Sequence, residues 1–346
     1  MEVKFTRRQF GRLGFATALA AGFGIYFNKV VIGQTPGLTI IGVRRGPVTA
    51  QFPGNPLSPE LDEADEANAG IVPSKGIIRA LTVDSFNTAN LQANQLTETG
   101  GILVQGEQIT GVTISKEGNI AITTSIVNAN STSFSSATSA RGVSVNISAK
   151  TDIGSAQNRI IILDGQNATS VPVVGVAGQQ SLEGISTSAK GETTAVVRDT
   201  NSKTTQIVSV DPTTGVTTPL QRLPQDFTVS NVVTDSKGNR FGIATNRAGE
   251  TNLIVLASGK TFPLTVDGRA LNNGTSSLIV TPDDQLIGLG KFRYDANNFL
   301  FTINQGNGAT QRIGKTINAS RIAAATANLN QKLAFLLGIE VLEANG

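Results

Sequence analysis

The 346-residue chain has no cysteine, no histidine and no tryptophan, and one methionine, at position 1. Without cysteine there are no disulfides, thiolate metal sites, iron–sulfur clusters or cysteine nucleophiles. Without histidine the usual general base is missing, along with the Ser-His-Asp triad and most zinc, copper and haem ligation. Charge is sparse at 15% of residues and aromatics at 5%. Only Tyr26 and Tyr294 could add a phenol, which leaves little for the aromatic platforms that sugar-binding sites favour.

The formal net charge of +3 is concentrated at one end. Lys4, Arg7, Arg8, Arg12 and Lys29 oppose Glu2 within the first 33 residues, so the remainder is close to neutral. A nucleic-acid backbone calls for a basic face, which this balance does not provide, and no nucleic-acid partner is expected.

Residues 6–12 read Thr-Arg-Arg-Gln-Phe-Gly-Arg, and an uncharged apolar run follows from Leu13 to Phe27. A basic head before an apolar run of about 7–15 residues has the form of an export signal. Arg7, Arg8 and Phe10 resemble the bacterial twin-arginine signal, which exports folded proteins. Gly11 and Arg12 depart from its usual Leu and Lys. No small-x-small cleavage site follows Phe27, so residues 1–33 read either as a cleaved signal or as a membrane anchor, with the periplasm or thylakoid lumen as destination. The expected division is residues 1–33 as signal, 34–76 as an extended segment and 77–346 as the folded body. Within the second stretch, residues 58–67 are acidic and suit a short helix, with Ser58 as cap and Pro59 in its first turn.

The body is rich in Thr, Asn, Ser, Val and Ile, with many short alternating apolar runs and little helical periodicity, which reads as all-β. A strand–turn–strand element recurs with turn residues at Gly118, Gly191, Gly238, Asp284 and, more weakly, Gln331. The last four are spaced 46 or 47 apart, and the first interval of 73 is longer by an insertion over residues 126–155. A second track of apolar strands ends at Asp84, Asp164, Asp211, Ala257 and Asn304. Four short strands per repeat of about 45 residues is the size of a propeller blade. The body therefore resembles a degenerate β-propeller without the Trp-Asp signature, and a sandwich or solenoid is the alternative. Five blades are expected. The C-terminal repeat supplies strands A and B of the last blade, residues 77–84 supply C, and Ile102–Gln105 supplies D. A further apolar stretch at 39–52 leaves six blades open.

In such a ring the B–C and D–A loops share one face. The predicted B–C loops carry Arg198, Asp199, Arg247, Lys291, Arg293 and Asp295, and the D–A loops carry Arg222, Asp226, Asp267 and Arg269. Converging arginines would bind a carboxylate, a phosphate or an acidic protein patch. The plain alternative is loop solvation with weak local pairs. Asp199, Asp226, Asp267 and Asp295 are the weak metal candidates. Gluconolactonase-type propellers hold a divalent cation through such oxygens, but no motif of theirs surrounds these residues. Quinone-dependent propeller dehydrogenases commonly use a histidine, which is lacking. No cofactor is expected. The leading expectation is an exported, non-catalytic propeller that binds a protein partner as scaffold or assembly factor. A cation-dependent hydrolase or lactonase and an envelope structural protein are the alternatives.

Overall fold

In the computed structural model the described residues are 38–51, 77–89, 91–99, 102–104, 107–126, 137–138, 144–145, 157–164, 168–177, 180–199, 202–223, 227–246, 248–271, 275–292, 297–320 and 322–327. The export motif and the acidic stretch 58–67 lie outside them. All regular structure among them is strand.

The first strands are β1 (Thr39–Gln51), β2 (Ile77–Asn87), β3 (Ala93–Glu98) and β4 (Leu103–Val104). A second sheet runs β5 (Glu107–Ile114), β6 (Ile120–Ile126), β9 (Gln157–Leu163), β10 (Ala168–Pro172), and a small hairpin, β7 (Ala137–Thr138) with β8 (Ser144–Val145), sits in the insertion between β6 and β9. The third is β11 (Gln180–Thr187), β12 (Thr193–Asp199), β13 (Thr205–Val210), β14 (Thr217–Arg222). The fourth is β15 (Phe227–Thr234), β16 (Arg240–Asn246), β17 (Thr251–Val255), β18 (Lys260–Pro263). A hairpin of β19 (Thr265–Val266) and β20 (Arg269–Ala270) leads to the fifth, β21 (Thr275–Val280), β22 (Leu286–Gly290), β23 (Asn297–Ile303), β24 (Thr310–Ser320). The last strand, β25 (Ala324–Ala327), returns to the first sheet, whose order is β25-β1-β2-β3. The chain folds as a five-bladed β-propeller.

Each turn between the two inner strands of blades 2 to 5 is built alike. Gly118, Gly191, Gly238 and Asp284 all have positive φ, between 61° and 91°. The amide of each donates to the carbonyl three residues earlier, on Ser115, Ser188, Asp235 and Thr281. The side chains of those four residues accept the amide of the residue after the turn. Three glycines meet the positive φ at no steric cost, and the aspartate is the short polar type that tolerates it. Farther up the inner strand a register shift precedes Gly111, Gly184, Asn231 and Ser277, seven residues before each turn residue. These bulges bend the inner strands where neighbouring blades converge.

Apolar side chains fill five seams, one per pair of neighbouring blades. Ile41, Val43, Leu81 and Val83 of blade 1 pack on Val112, Ile120, Ile122 and Ile161 of blade 2. On the opposite face of blade 1, Ile40 and Phe86 meet Ile279, Leu289 and Leu300 of blade 5, which closes the circle. The other seams join blades 2 and 3, 3 and 4, and 4 and 5. Alternation along each strand feeds two seams at once.

Ring closure differs in detail from expectation. Within the apolar stretch at 39–52, β1 (Thr39–Gln51) is strand B of blade 1, between β25 and β2, and not the start of a sixth blade. The C-terminal repeat contributes strand A alone among the described residues. Strand D comes in two pieces, β3 against residues 82–86 and β4 against Ile78 and Arg79. Strand C runs past Asp84 to Asn87, whose carbonyl and side chain accept the turn amides of Leu91 and Ala89. Asp84 is an interior residue.

The inner strands touch where side chains are absent. A Cβ on Gly111 would lie 2.7 Å from the Ile185 amide nitrogen and 2.9 Å from the Gly184 Cα. Backbone cannot retreat as a flexible side chain can. Gly111→Ala should destabilise the protein by about 1–3 kcal/mol, read as a lower denaturant midpoint at unchanged m-value.

Candidate functional site

Two places on a propeller can gather chemistry: the axis, and the face of B–C and D–A loops. On the axis the inner strands of all five blades line a cavity of about 50 Å³. Its polar wall includes Thr113, Ser186, Thr187, Asn231, Thr234 and Thr326. Several of these groups bond across blades. Thr187 N donates to Thr113 Oγ1 at 2.8 Å, and Ser186 Oγ to the Val232 carbonyl at 2.7 Å. The space admits a few waters by volume and is far below the several hundred Å³ of an ordinary small-molecule pocket.

The cavity approaches the face of the A–B turns, opposite the expected mouth. Its charged lining residue is Asp284. The carboxylate accepts from Ser236 Oγ at 2.5 Å and Ser236 N at 2.8 Å, and Gln305 Nε2 donates to the Asp284 carbonyl. The hydroxyl bond and then the amide bond of Ser236 hold the carboxyl below its ordinary value. Asp211, at the C–D turn of blade 3, is lowered likewise, chiefly by the Thr214 side chain and the Thr213 amide. A depressed carboxylate stabilises the fold above its unfolded pKa, and that contribution is lost as pH falls through the folded pKa. Ser236→Ala should therefore flatten the decline in stability below about pH 4, measured by urea titration at a series of pH values.

Of the residues expected on the loop face, Arg198, Asp199, Arg222, Asp267, Arg269 and Lys291 are among the described residues. Arg198 and Asp199 end β12, and Asp199 Oδ1 accepts the Ser202 amide at 2.8 Å. Arg222 ends β14 and is exposed. Asp267 turns the β19–β20 hairpin at φ 51° and pairs with Arg312 of blade 5 at 3.0 Å. Arg269, on the same hairpin, lies 3.9 Å over the Phe292 ring, beside exposed Lys291. The structure thus brings Arg269 to the Lys291 segment across the seam of blades 4 and 5, where stacking on an aromatic face is favourable. Arg247, Arg293, Asp226 and Asp295 lie outside the described residues. Among the described residues no three acidic side chains gather as a metal would require, and Asp199 and Asp267 belong to different blades.

The strongest charge cluster was missed in the sequence. Glu107, 1% exposed, is held by Arg159 through Nε at 2.5 Å and Nη2 at 2.5 Å, and Thr124 Oγ1 donates to the same carboxylate. Arg159 also donates to the Ile102 carbonyl, and Arg45 to the carbonyl of Glu107. On the other face of β1, Arg44 Nε pairs with buried Asp84 at 2.7 Å. A sequence signal existed: consecutive arginines inside an apolar strand must point to opposite faces, and each then needs a partner. The cluster joins blades 1 and 2, with the Glu107 carboxylate buried and the Arg159 side chain 14% exposed. Glu107→Ala should cost about 3–5 kcal/mol by leaving Arg159 without its carboxylate, and Glu107→Leu with Arg159→Met should recover most of that, both read by chemical denaturation.

No family model matches the chain, and no curated protein matches it. Solved structures do. A Bacteroides caccae protein of unknown function has 12% identity and a TM-score of 0.41, over 84% of this chain and 99% of that one. A proposed 6-phosphogluconolactonase of Bacteroides fragilis has 11% identity and a TM-score of 0.38, over 85% and 99%. The dipeptidyl peptidase 4 of Porphyromonas gingivalis has 11% identity and a TM-score of 0.31, over 71% and 39%. Likeness at this level assigns no activity.

Proposed function

We propose that this protein is an exported, non-catalytic β-propeller that binds a protein partner as a scaffold or assembly factor. The observation that carries this reading is the axis. Inner strands meeting backbone to backbone at Gly111 and Gly184 leave a cavity of about 50 Å³ whose polar lining is mostly hydroxyls, with Asp284 as its charged residue. Of the charges expected at the mouth, Asp267 and Arg269 are spent on a seam between blades, with Arg312 and Phe292 as partners. Recognition then falls to the outer surfaces of a rigid ring, which is a protein-binding mode. Export to the periplasm or thylakoid lumen rests on Arg7, Arg8 and Phe10, with the apolar run after them as leader or membrane tether.

The test is a pair of measurements on the full chain. Ca²⁺, Mg²⁺ and Mn²⁺ should leave the melting temperature unchanged, and a defined protein should co-purify from the native membrane fraction. A cation-dependent rise in melting temperature, with lactone or ester turnover lost in Asp199→Asn or Asp267→Asn, would overturn the proposal in favour of the hydrolase. For export, a reporter fused behind residues 1–33 should stay in the cytoplasm when Arg7→Lys and Arg8→Lys are combined.

A further inference from the structure

The outer edges of the five blades are not equivalent. Three outer strands each send a side chain into a seam between blades: Ala168 from β10, Phe262 from β18 and Ile313 from β24. In blade 1 the outer strand β3 buries Leu96. In β14 of blade 3, Thr218, Pro219, Leu220, Gln221 and Arg222 are all exposed, on both faces of the strand. The C–D turn of a following blade normally presses on the outer strand before it. A Cβ on Gly215 would lie 2.1 Å from the Pro172 carbonyl oxygen of β10, and one on Gly308 would lie 2.3 Å from the Phe262 Cβ of β18. The equivalent turn of blade 4 holds Gly259, where an added Cβ would meet nothing within 4 Å. Blade 4 leaves β14 uncovered.

The large apolar side chains exposed among the described residues gather here. Val174, Val216 and Leu220 are 52%, 48% and 46% exposed. Val174 bridges in parallel to Val216, and Thr217 N donates to the Val174 carbonyl, so they form one surface along the edge of blade 3. Single exposed aliphatics are ordinary, but their occurrence along one blade edge, in β14, in the turn before it and in the segment bridged to that turn, is informative. The edge is also guarded. Thr217 N points outward, and two residues on, Pro219 has no donor for an added strand. A partner must then dock through side chains.

Charge at the loop-face end of this edge has one dominant sign. Arg222 and Lys203 are exposed there and Arg198 is half-buried, while the nearby Asp199 carboxylate accepts the Ser202 amide. We infer that the outer edge of blade 3, built on Val174, Val216, Leu220 and Arg222, docks a partner protein whose contact surface combines aliphatic side chains with carboxylates. This rests on the protein-binding reading above and names its surface. The aliphatic patch supplies the desolvated centre, and Arg222 takes a carboxylate at its border.

The full chain carrying a photo-crosslinking residue at position 220, or at Thr169 on β10 as control, is irradiated in the producing cells and the adduct identified. The purified adduct protein is then titrated against the wild type, Leu220→Asp and Arg222→Glu. An adduct from position 220 and not 169 is expected. Affinity should fall at least about tenfold in both variants at unchanged melting temperature. Replacing the contacting carboxylate of the partner with lysine should restore binding to Arg222→Glu. Unchanged affinity in both variants, or an adduct from 169 alone, overturns the surface and leaves the scaffold reading standing. An adduct with a second copy of this chain, or with a surface lacking carboxylates, overturns the stated chemistry. No adduct from either position overturns the surface, and the scaffold reading falls with it only if co-purification also yields no protein.

Discussion

The structure depends on the pairing of β25 with β1. Four residue pairs, from Ile40 opposite Ala327 to Val43 opposite Ala324, join the two ends of the described chain in one sheet. Without them β1 would present a bare inner edge, and the seam between blades 5 and 1 would lose Ala325 and Ala327. A ring removes the open sheet face that an array of hairpins otherwise leaves at each end. Asn298 Nδ2 donates to the Ile322 carbonyl and Ser277 Oγ accepts the Ala325 amide, so polar groups of blade 5 hold the closing strand in register.

Closure also governs how close the inner strands come, and so what the axis can hold. Glycine-to-backbone contacts of Gly111 with blade 3 and Gly184 with blade 4 bring the inner strands together, and hydroxyls bonded across blades leave little free volume. The charges of the chain are used in the same spirit. Glu107 with Arg159 lies within blade 2 and is tied to blade 1 through Arg45 and the Ile102 carbonyl, Asp84 with Arg44 lies within blade 1, and Asp267 with Arg312 spans blades 4 and 5. In the pairs whose carboxylate is buried, Glu107 with Arg159 and Asp84 with Arg44, desolvation offsets much of the attraction. The uneven outer rim is the consequence left over: where one blade fails to press on its neighbour, aliphatic side chains meet solvent.

All-β class, blade length and turn positions were legible in the sequence because they are local properties. A turn with positive φ selects Gly or Asp at 118, 191, 238 and 284, and the strand period of two sorts side chains to either face, whatever surrounds them. The fate of Asp84, Glu107, Asp267 and Arg269 was not legible. Each is satisfied by a group 23 to 52 residues away, Arg44, Arg159, Arg312 and Phe292, because packed sheets bring residues distant in sequence into contact. Blade count had the same character, since the apolar stretch at 39–52 left a sixth blade open. Only tertiary structure decided that, because which strand fills the gap depends on where the two chain ends meet in space.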